Sequence, residues 1–385
     1  MSGIVLSASV RQNLLSLQST AELLSTTQNR LATGNKVNSA LDNPTNFFTA
    51  QGLNNRASDI TNLLDSIGNG VQVLQAANTG ITSLQKLVDT AKSLANQVLQ
   101  APTGYSTKSS TTSATTVGTA ANLVDGTNIA SGDTLTIAAT GGGTATSIIF
   151  GASESLDQLN AALAANNVSA SLNSAGKLVF TTTNDAASST LGAVGGTAAA
   201  FTAVAAAAAP VADAASQTIR ANLVSQYNNV IQQITTTAQD SSFNGINLLN
   251  GDNLKLTFNE TGKSTLNIQG VTFDAAGLGL ASLTSGTDFL DNASANSALA
   301  LLGAASTTLR TEASALGSNL SIVQIRQDFS KNLINVLQTG SSNLTLADTN
   351  EEAANSQALA TRQSIAVSAL ALANQSQQSV LQLLR

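Results

Sequence analysis

The chain has 385 residues, of which 42% are hydrophobic, only 3% aromatic and 10% charged, and it carries a formal net charge of −6. It has no Cys and no His, which removes disulfides, thiol ligands and every His-dependent nucleophilic or zinc-protease arrangement. The acidic balance, with Lys and Arg scattered, makes it a poor binder of nucleic acid, and its cores must be built from Leu, Ile, Val and Ala.

The opening Met1-Ser2-Gly3-Ile4-Val5-Leu6-Ser7 lacks a basic region and a long apolar core and does not read as a signal peptide; if the protein leaves the cell, it takes a route that needs no cleaved signal. Val10, Leu14, Leu17, Ala21, Leu24 and Leu31 then alternate at spacings of four and three, with Gln28 interrupting, and read as a coiled-coil seam. Gly34 fits the position just past a helix end, and Asn43-Pro44 fits a cap followed by the first residue of a new helix. In that second helix Ile60, Ile67, Leu74, Ile81, Val88 and Ala95 recur every seventh residue, with Leu64 and Val71 beside them. Leu63, Ala77, Leu84, Ala91 and Val98 form a second stripe, so the helix packs against more than one neighbour over ~55–60 Å, at ~1.5 Å per residue.

Pro102 and Pro210 bracket a segment of another character. Residues 106–121 are rich in Ser, Thr and Gly and have no helical period. Residues 134–137 and 147–150 read as strands around Gly141-Gly142-Gly143, 155–165 as a helix, and 168–172 and 177–182 as a second strand pair. The sum is a small ββαββ module with an acidic balance: Lys108 and Lys177 against Asp125, Asp133, Glu154, Asp157, Asp185 and Asp213.

After Pro210 the helical pattern returns, with Ile219, Leu223, Tyr227, Val230 and Ile234 on one face. A turn-rich stretch at 241–251 leads to two alternating segments, 254–258 and 264–273, around Asn259-Glu260-Thr261-Gly262, a hairpin signal. From about Asn292 the chain is helical almost to its end, with Leu302, Leu309, Leu316 and Val323 seven apart. Residues 344–350 interrupt it, and Asp348 with Glu351 suits the start of a last helix. The apolar run 365–373 is too short and Ser-interrupted to span a bilayer, and no membrane partner is expected.

The expected fold is mostly α: a long antiparallel coiled-coil rod with a β-hairpin and an inserted α+β outer module. Residues 1–40 and 345–385 form a terminal assembly domain, 41–104 and 214–344 a helical wall with the hairpin near 253–273, and 105–213 a surface-exposed insert. A lone amphipathic helix gains little in water, so the terminal seams need partners. Leu14, Leu17, Leu24 and Leu31 at one end, and Ile365, Leu372, Val380, Leu381, Leu383 and Leu384 at the other, are the candidate interface between copies of the chain. The stripe from Ile60 to Ala95 is assigned to the subunit's own core.

Five motifs in order resemble the bacterial flagellin family. Arg30-Leu31-Ala32-Thr33-Gly34, followed by Asn38, Ala40 and Asp42, is similar to the N-terminal signature, and Asn69–Gln75 to the helix that follows. Phe243-Asn244-Gly245, with Leu248-Leu249, resembles the connection ahead of the hairpin, and 347–354 and 373–384 resemble the C-terminal signature. The resemblance covers about residues 1–100 and 215–385. It departs from the family at Asp42-Asn43-Pro44, where a double acid is commoner, and in placing its insert between Pro102 and Pro210 rather than after the hairpin. It implies an exported, extracellular, non-enzymatic subunit, without cofactor, that polymerises with itself into a hollow motility filament. Implied partners are the hook-associated junction and cap proteins, the flagellar export apparatus and an export chaperone. It also implies a surface for the innate immune receptor of flagellins at Leu84-Gln85-Lys86-Leu87-Val88-Asp89. The family's Arg residues there are Lys and Val, which predicts weak recognition.

Other readings are set beside this one. Glu351 with Glu352 suits a helix N-terminus better than a catalytic or metal pair, and Gly68-x-Gly70 lacks the strand and third Gly of a phosphate loop. The Ser/Thr tracts of the insert read as solvated loop, with O-glycosylation as an alternative. The hook–filament junction protein shares the terminal helices, and a flagellin-like surface binding protein is the remaining alternative, for which the insert offers only Tyr105, Phe150, Phe180 and Phe201 as a platform.

Overall fold

The computed structural model describes residues 8–383. The chain divides into two compact units, one of Met1–Asn69, Leu256–Leu266 and Ile322–Arg385, the other of Gly70–Lys255 and Asn267–Ser321.

The first unit holds α1 (Ala8–Thr33), the start of α2 (Pro44–Gln100), the end of α5 (Asn292–Thr345) and α6 (Thr349–Leu383). Gly34 ends α1 at φ +72°, a conformation that costs glycine nothing, and its N–H donates to the Arg30 carbonyl at 2.8 Å. Pro44 opens α2, and the Asn43 side chain accepts from the Asn46 N–H at 3.0 Å. The connectors of the two helix pairs are tied together. Lys36 and Val37 donate their N–H groups to the Thr345 carbonyl at 2.7 and 3.3 Å, and Ala347 donates to the Gly34 carbonyl at 3.0 Å. Asp348 caps α6 by accepting from the N–H groups of Asn350 and Glu351. From there α1 and α6 run antiparallel along each other. Farther along the helices Ala57 and Ile60 of α2 pack with Ile334 and Leu337 of α5.

In the second unit the predicted stripes are buried as drawn: Leu74, Ile81, Val88 and Ala95, with Ala77, Leu84, Ala91 and Val98, and on α5 Leu302, Leu309 and Leu316. A Cβ at Gly80 would lie 2.2 Å from Ser241 Oγ and 2.6 Å from Leu249 Cδ1, so only glycine lets the 241–249 connection come this close to α2. That connection turns at Asn244 (φ 50°) and Gly245 (φ 80°), where Phe243 and Ile246 exchange backbone hydrogen bonds at 3.0 Å. Asn247 then donates to the Ala238 and Gln239 carbonyls at the end of α4 (Ala214–Asp240), both at 2.8 Å.

The expected face of α4 is corrected at one position. Leu223, Tyr227 and Ile234 are buried and Val230 is half-buried, but Ile219 is exposed and its neighbour Arg220, at 0% exposure, takes the inward place. The reason is the end of α2, whose last carbonyls need donors. Arg220 donates from Nη2 to Val98 O (3.1 Å), Ala101 O (3.0 Å) and Asn292 Oδ1 (3.2 Å). It donates from Nε to Pro102 O (2.7 Å), and from Nη1 to Phe289 O (2.6 Å) and Leu290 O (3.3 Å). An aliphatic side chain there would take away the guanidinium donors, at about 1–3 kcal/mol for each buried acceptor left without another partner.

Between Gln100 and Ala214 lies the α+β module. β3 (Thr134–Ile137) pairs antiparallel with β4 (Thr146–Ile149), and β5 (Val168–Leu172) with β6 (Leu178–Thr182), as the sequence predicts. Between the pairs stands α3 (Leu156–Leu163), opened by a capping box of Ser155 and Gln158. Four short strands extend this plan: β2 (Ser110–Thr112) joins β6, β7 (Val194–Gly196) joins β3, and β1 (Tyr105–Thr107) meets β8 (Val211–Ala212) as a stem. Leu135, Ile137, Leu159, Leu163, Leu178 and three phenylalanines share one core, where Phe201 lies 6.0 Å from both Phe150 and Phe180. The hairpin after α4 is formed by β9 (Leu254–Thr257) and β10 (Thr265–Ile268).

Candidate assembly interface

The α1–α6 pair is built from few charges. α1 carries Arg11, Glu22 and Arg30, and α6 has none after Arg362. Its inward stripe on α6 is half-buried Ser356, Leu359, Gln363, Ala366, Leu370 and Ala373, spaced at three and four after the buried Glu352. On α1 the inward positions are Val10, Leu17, Thr20, Leu24 and Thr27. The face of α1 is therefore turned from the seam expected: Val10, Leu17 and Leu24 point inward, but Thr20 and Thr27 replace Leu14 and Leu31 beside them. Thr20 survives burial because its hydroxyl donates to the Ser16 carbonyl one turn back, at 2.8 Å.

The large apolar side chains that this turn displaces are outside. Leu14 and Leu31 are 37% and 40% exposed, Ile365 64% and Leu372 69%, and Leu15, Leu23 and Val367 are exposed too. Of the other candidate residues, Leu17 and Leu24 are half-buried in the pair. The helical backbone of α6 carries Val380, Leu381 and Leu383, whose side chains are outside the described set, and Leu384 lies outside the described residues. Farther along the same unit α5 adds a face that the Leu302–Val323 heptad concealed: Ile322, Ile325, Phe329 and Val336 are all exposed. Their spacing of three, four and seven is a helical period lying off the main stripe, and is legible once looked for.

One ion pair pins the base of the pair. Arg30 Nη1 meets Glu352 Oε1 at 3.2 Å, with the carboxylate nearly buried, so Arg30 of the N-terminal signature joins the acid at the start of α6. No single-sequence signal joins residues so far apart. The other signature residues shape backbone. Asp42, exposed, accepts from the N–H groups of Ser39 (2.8 Å) and Asn38 (2.9 Å) and from the Ser39 hydroxyl. The bond from the Ser39 N–H, then that from Asn38, holds its carboxyl below the ordinary carboxylate range. Ala40 sits inside the turn that Asp42 closes. Asn43, which stands where the family pattern commonly has a second acid, caps α2 with its side-chain oxygen.

Among the described residues no helix is long and apolar enough to cross a membrane. The exposed face of α1 and α6 sets large apolar side chains among Ser, Gln, Asn and Ala.

Family comparisons agree with the sequence motifs. A profile of the bacterial flagellin N-terminal helical region matches residues 5–128, and one of the C-terminal helical region matches residues 299–384. Among curated relatives the chain is 32% identical over 177 residues to flagellin FljM and, equally, to flagellin FljK of Caulobacter vibrioides. Each of these matches covers 45% of this chain and 63% of the relative. It is 35% identical over 124 residues to flagellin A of Rhizobium meliloti, covering 32% of this chain and 27% of that one. The chain thus spans somewhat under two thirds of the Caulobacter proteins it resembles.

Proposed function

The chain belongs to the bacterial flagellin family, and from that premise we propose that it is a structural subunit of an extracellular flagellar filament, acting by self-assembly into a helical homopolymer for motility. The observation that carries the reading is the outward apolar face of the α1–α6 pair. Ile365, Leu372, Leu14 and Leu31 have no cover within their own helix pair, and each large side chain is worth roughly 1.5–3 kcal/mol once buried. Identical copies stacked along one axis supply that cover at every step, which a closed dimer does not. In this reading residues 1–40 and 345–385 form the filament core, 41–104 and 214–344 the wall, and 105–213 the outer surface. Partners other than further copies are those met at the ends of such a polymer and on the way out of the cell: junction and cap proteins, the export apparatus and its chaperone.

The test is polymerisation of the purified chain in a kosmotropic salt, followed by electron microscopy. Long unbranched filaments are expected. Carrying Ile365→Glu with Leu372→Glu, the chain should stay monomeric and keep its helical circular dichroism. Filaments formed normally by the double variant, or rings of fixed size formed by the parent, would overturn the reading.

A further inference from the structure

The inserted module is attached to the helices at two places. The first is its stem, where Tyr105 pairs with Ala212 and Asp213 donates its N–H to the Gly104 carbonyl at 2.9 Å. A two-stranded stem this short is marginal by itself. The second attachment lies on the far side of the module's own sequence. Ser188 donates its N–H to Asp291 Oδ1 at 2.7 Å and its hydroxyl to Asp291 Oδ2, so both carboxylate oxygens are engaged by one residue. One turn into α5, Asn296 donates to Asp185 at 3.4 Å.

Asp291 stands just before α5, next to the carbonyls of Phe289 and Leu290 that Arg220 holds. All the direct acceptors of Arg220 are neutral, and its charge is fully buried. Burial lowers the Arg220 pKa, and the charge of Asp291 opposes that shift. A buried cation is costly when its counter-charge is missing, so the place of this carboxylate matters to Arg220.

We propose that Asp291 is a shared clasp: the charge that offsets buried Arg220 also locks the inserted module in one orientation through Ser188. Two parallel charge-assisted bonds fix angles as well as distance, which the stem does not. The module is then a docked body with two states, clasped and swinging. The clasped state is favoured by the same electrostatic demand that holds the end of α2 to the start of α5. Tyr105 in the stem senses the site, because burial first and the Asp291 charge second raise the pKa of its hydroxyl.

The absence of native Cys allows a direct test. Asp185→Cys with Asn296→Cys, placed at the neighbouring contact, should form a disulfide rapidly under a mild oxidant. Adding Ser188→Ala removes the hydroxyl bond and keeps the backbone one; it should slow that step roughly ten- to hundredfold, the worth of one charge-assisted bond, and leave the thermal midpoint of the helices unchanged. Adding Asp291→Asn should slow it likewise and also lower the midpoint, because Arg220 loses its compensating charge. Asp291→Glu keeps the charge but displaces it; it should restore the midpoint without restoring the cross-linking rate, and it decides the charge half should the Asn variant not fold. An unchanged cross-linking rate in Ser188→Ala overturns the clasp. A midpoint that falls as far with Asp291→Glu as with Asp291→Asn, or falls with neither, overturns the sharing.

Discussion

The inserted module and the terminal helix pair spend their apolar residues in opposite ways. The module folds Leu135, Ile137, Leu163, Phe150, Phe180 and Phe201 into one core and leaves Ile149, and Val211 of the stem, exposed. The terminal pair buries Thr20 and Thr27 between its helices and keeps Leu14, Leu15, Leu23, Leu31, Ile365, Val367 and Leu372 outside. By the ordinary rule that large apolar side chains go inside, the pair is inside-out and the module is not. The rule still holds if it is applied to the assembly. In the filament proposed above, one region completes its burial within a chain, and the other would defer it to neighbouring copies.

The largest expected effect breaks the comparison at its root. Removing residues 1–40 and 345–385 should abolish polymerisation completely while leaving a soluble, folded helical protein, read by light scattering and circular dichroism. Long filaments from the truncated protein would mean that burial is not deferred to these helices. Next in size is a contrast of two truncated side chains. Phe180→Ala should destabilise the module by about 3–5 kcal/mol, the cost of a large cavity in a closed core. Leu17→Ala, half-buried in an open pair, should cost only about 1 kcal/mol, scaled from the transfer value for a fully buried Leu. Amide exchange measured separately in 134–182 and in α1 distinguishes the two, and equal losses would erase the contrast.

A smaller effect follows from replacing residues 105–213 with a short Gly/Ser linker. Assembly should persist, with a thinner and smoother filament by electron microscopy, because the module shares none of the exposed stripe on α1 and α6. The helical melt should drop only slightly, since Asp291 regains water in place of Ser188. Stable, helical protein that never polymerises would make the module part of the interface. The smallest effect concerns a surface belonging to neither region. Along 84–89 Leu84 and Val88 are buried, and Lys86 and Asp89 face solvent. The forked Arg contacts of the family pattern are missing there, so the purified monomer should activate the innate flagellin receptor weakly or not at all in a reporter-cell assay.

How much of this was legible depended on what each residue had to satisfy. Where apolar periodicity decides, the sequence was sufficient: the heptad from Ile60 to Ala95, the Leu302–Leu316 stripe and the strand pairs around Gly141-Gly142-Gly143 and Asn173–Gly176 lie where the pattern puts them. Gly34 and Asn43-Pro44 were legible because backbone stereochemistry admits few alternatives. Arg220 was hidden because a cation beside Ile219 reads as the solvent side of a helix, and its real partners are carbonyls far away in the chain. β7 and β8 were hidden because Val194-Gly195-Gly196 and Val211-Ala212 are too short, and too rich in Gly and Ala, to show alternation. The face of α1 was misplaced by one position because a Thr that bonds its own helix can lie inside as readily as a Leu.

The stem has a consequence of a different kind. Because Gly104 and Asp213 are hydrogen-bonded to each other, the path of the main chain enters and leaves the module at nearly one point. Everything between them is a closed excursion, and the two helices it separates are joined as they would be by a tight turn. A coding sequence can therefore gain, lose or exchange such a cassette in one recombination event without moving a helix. The demands on an incoming cassette are two: ends a strand-spacing apart, and a hydroxyl near the place that Ser188 now fills.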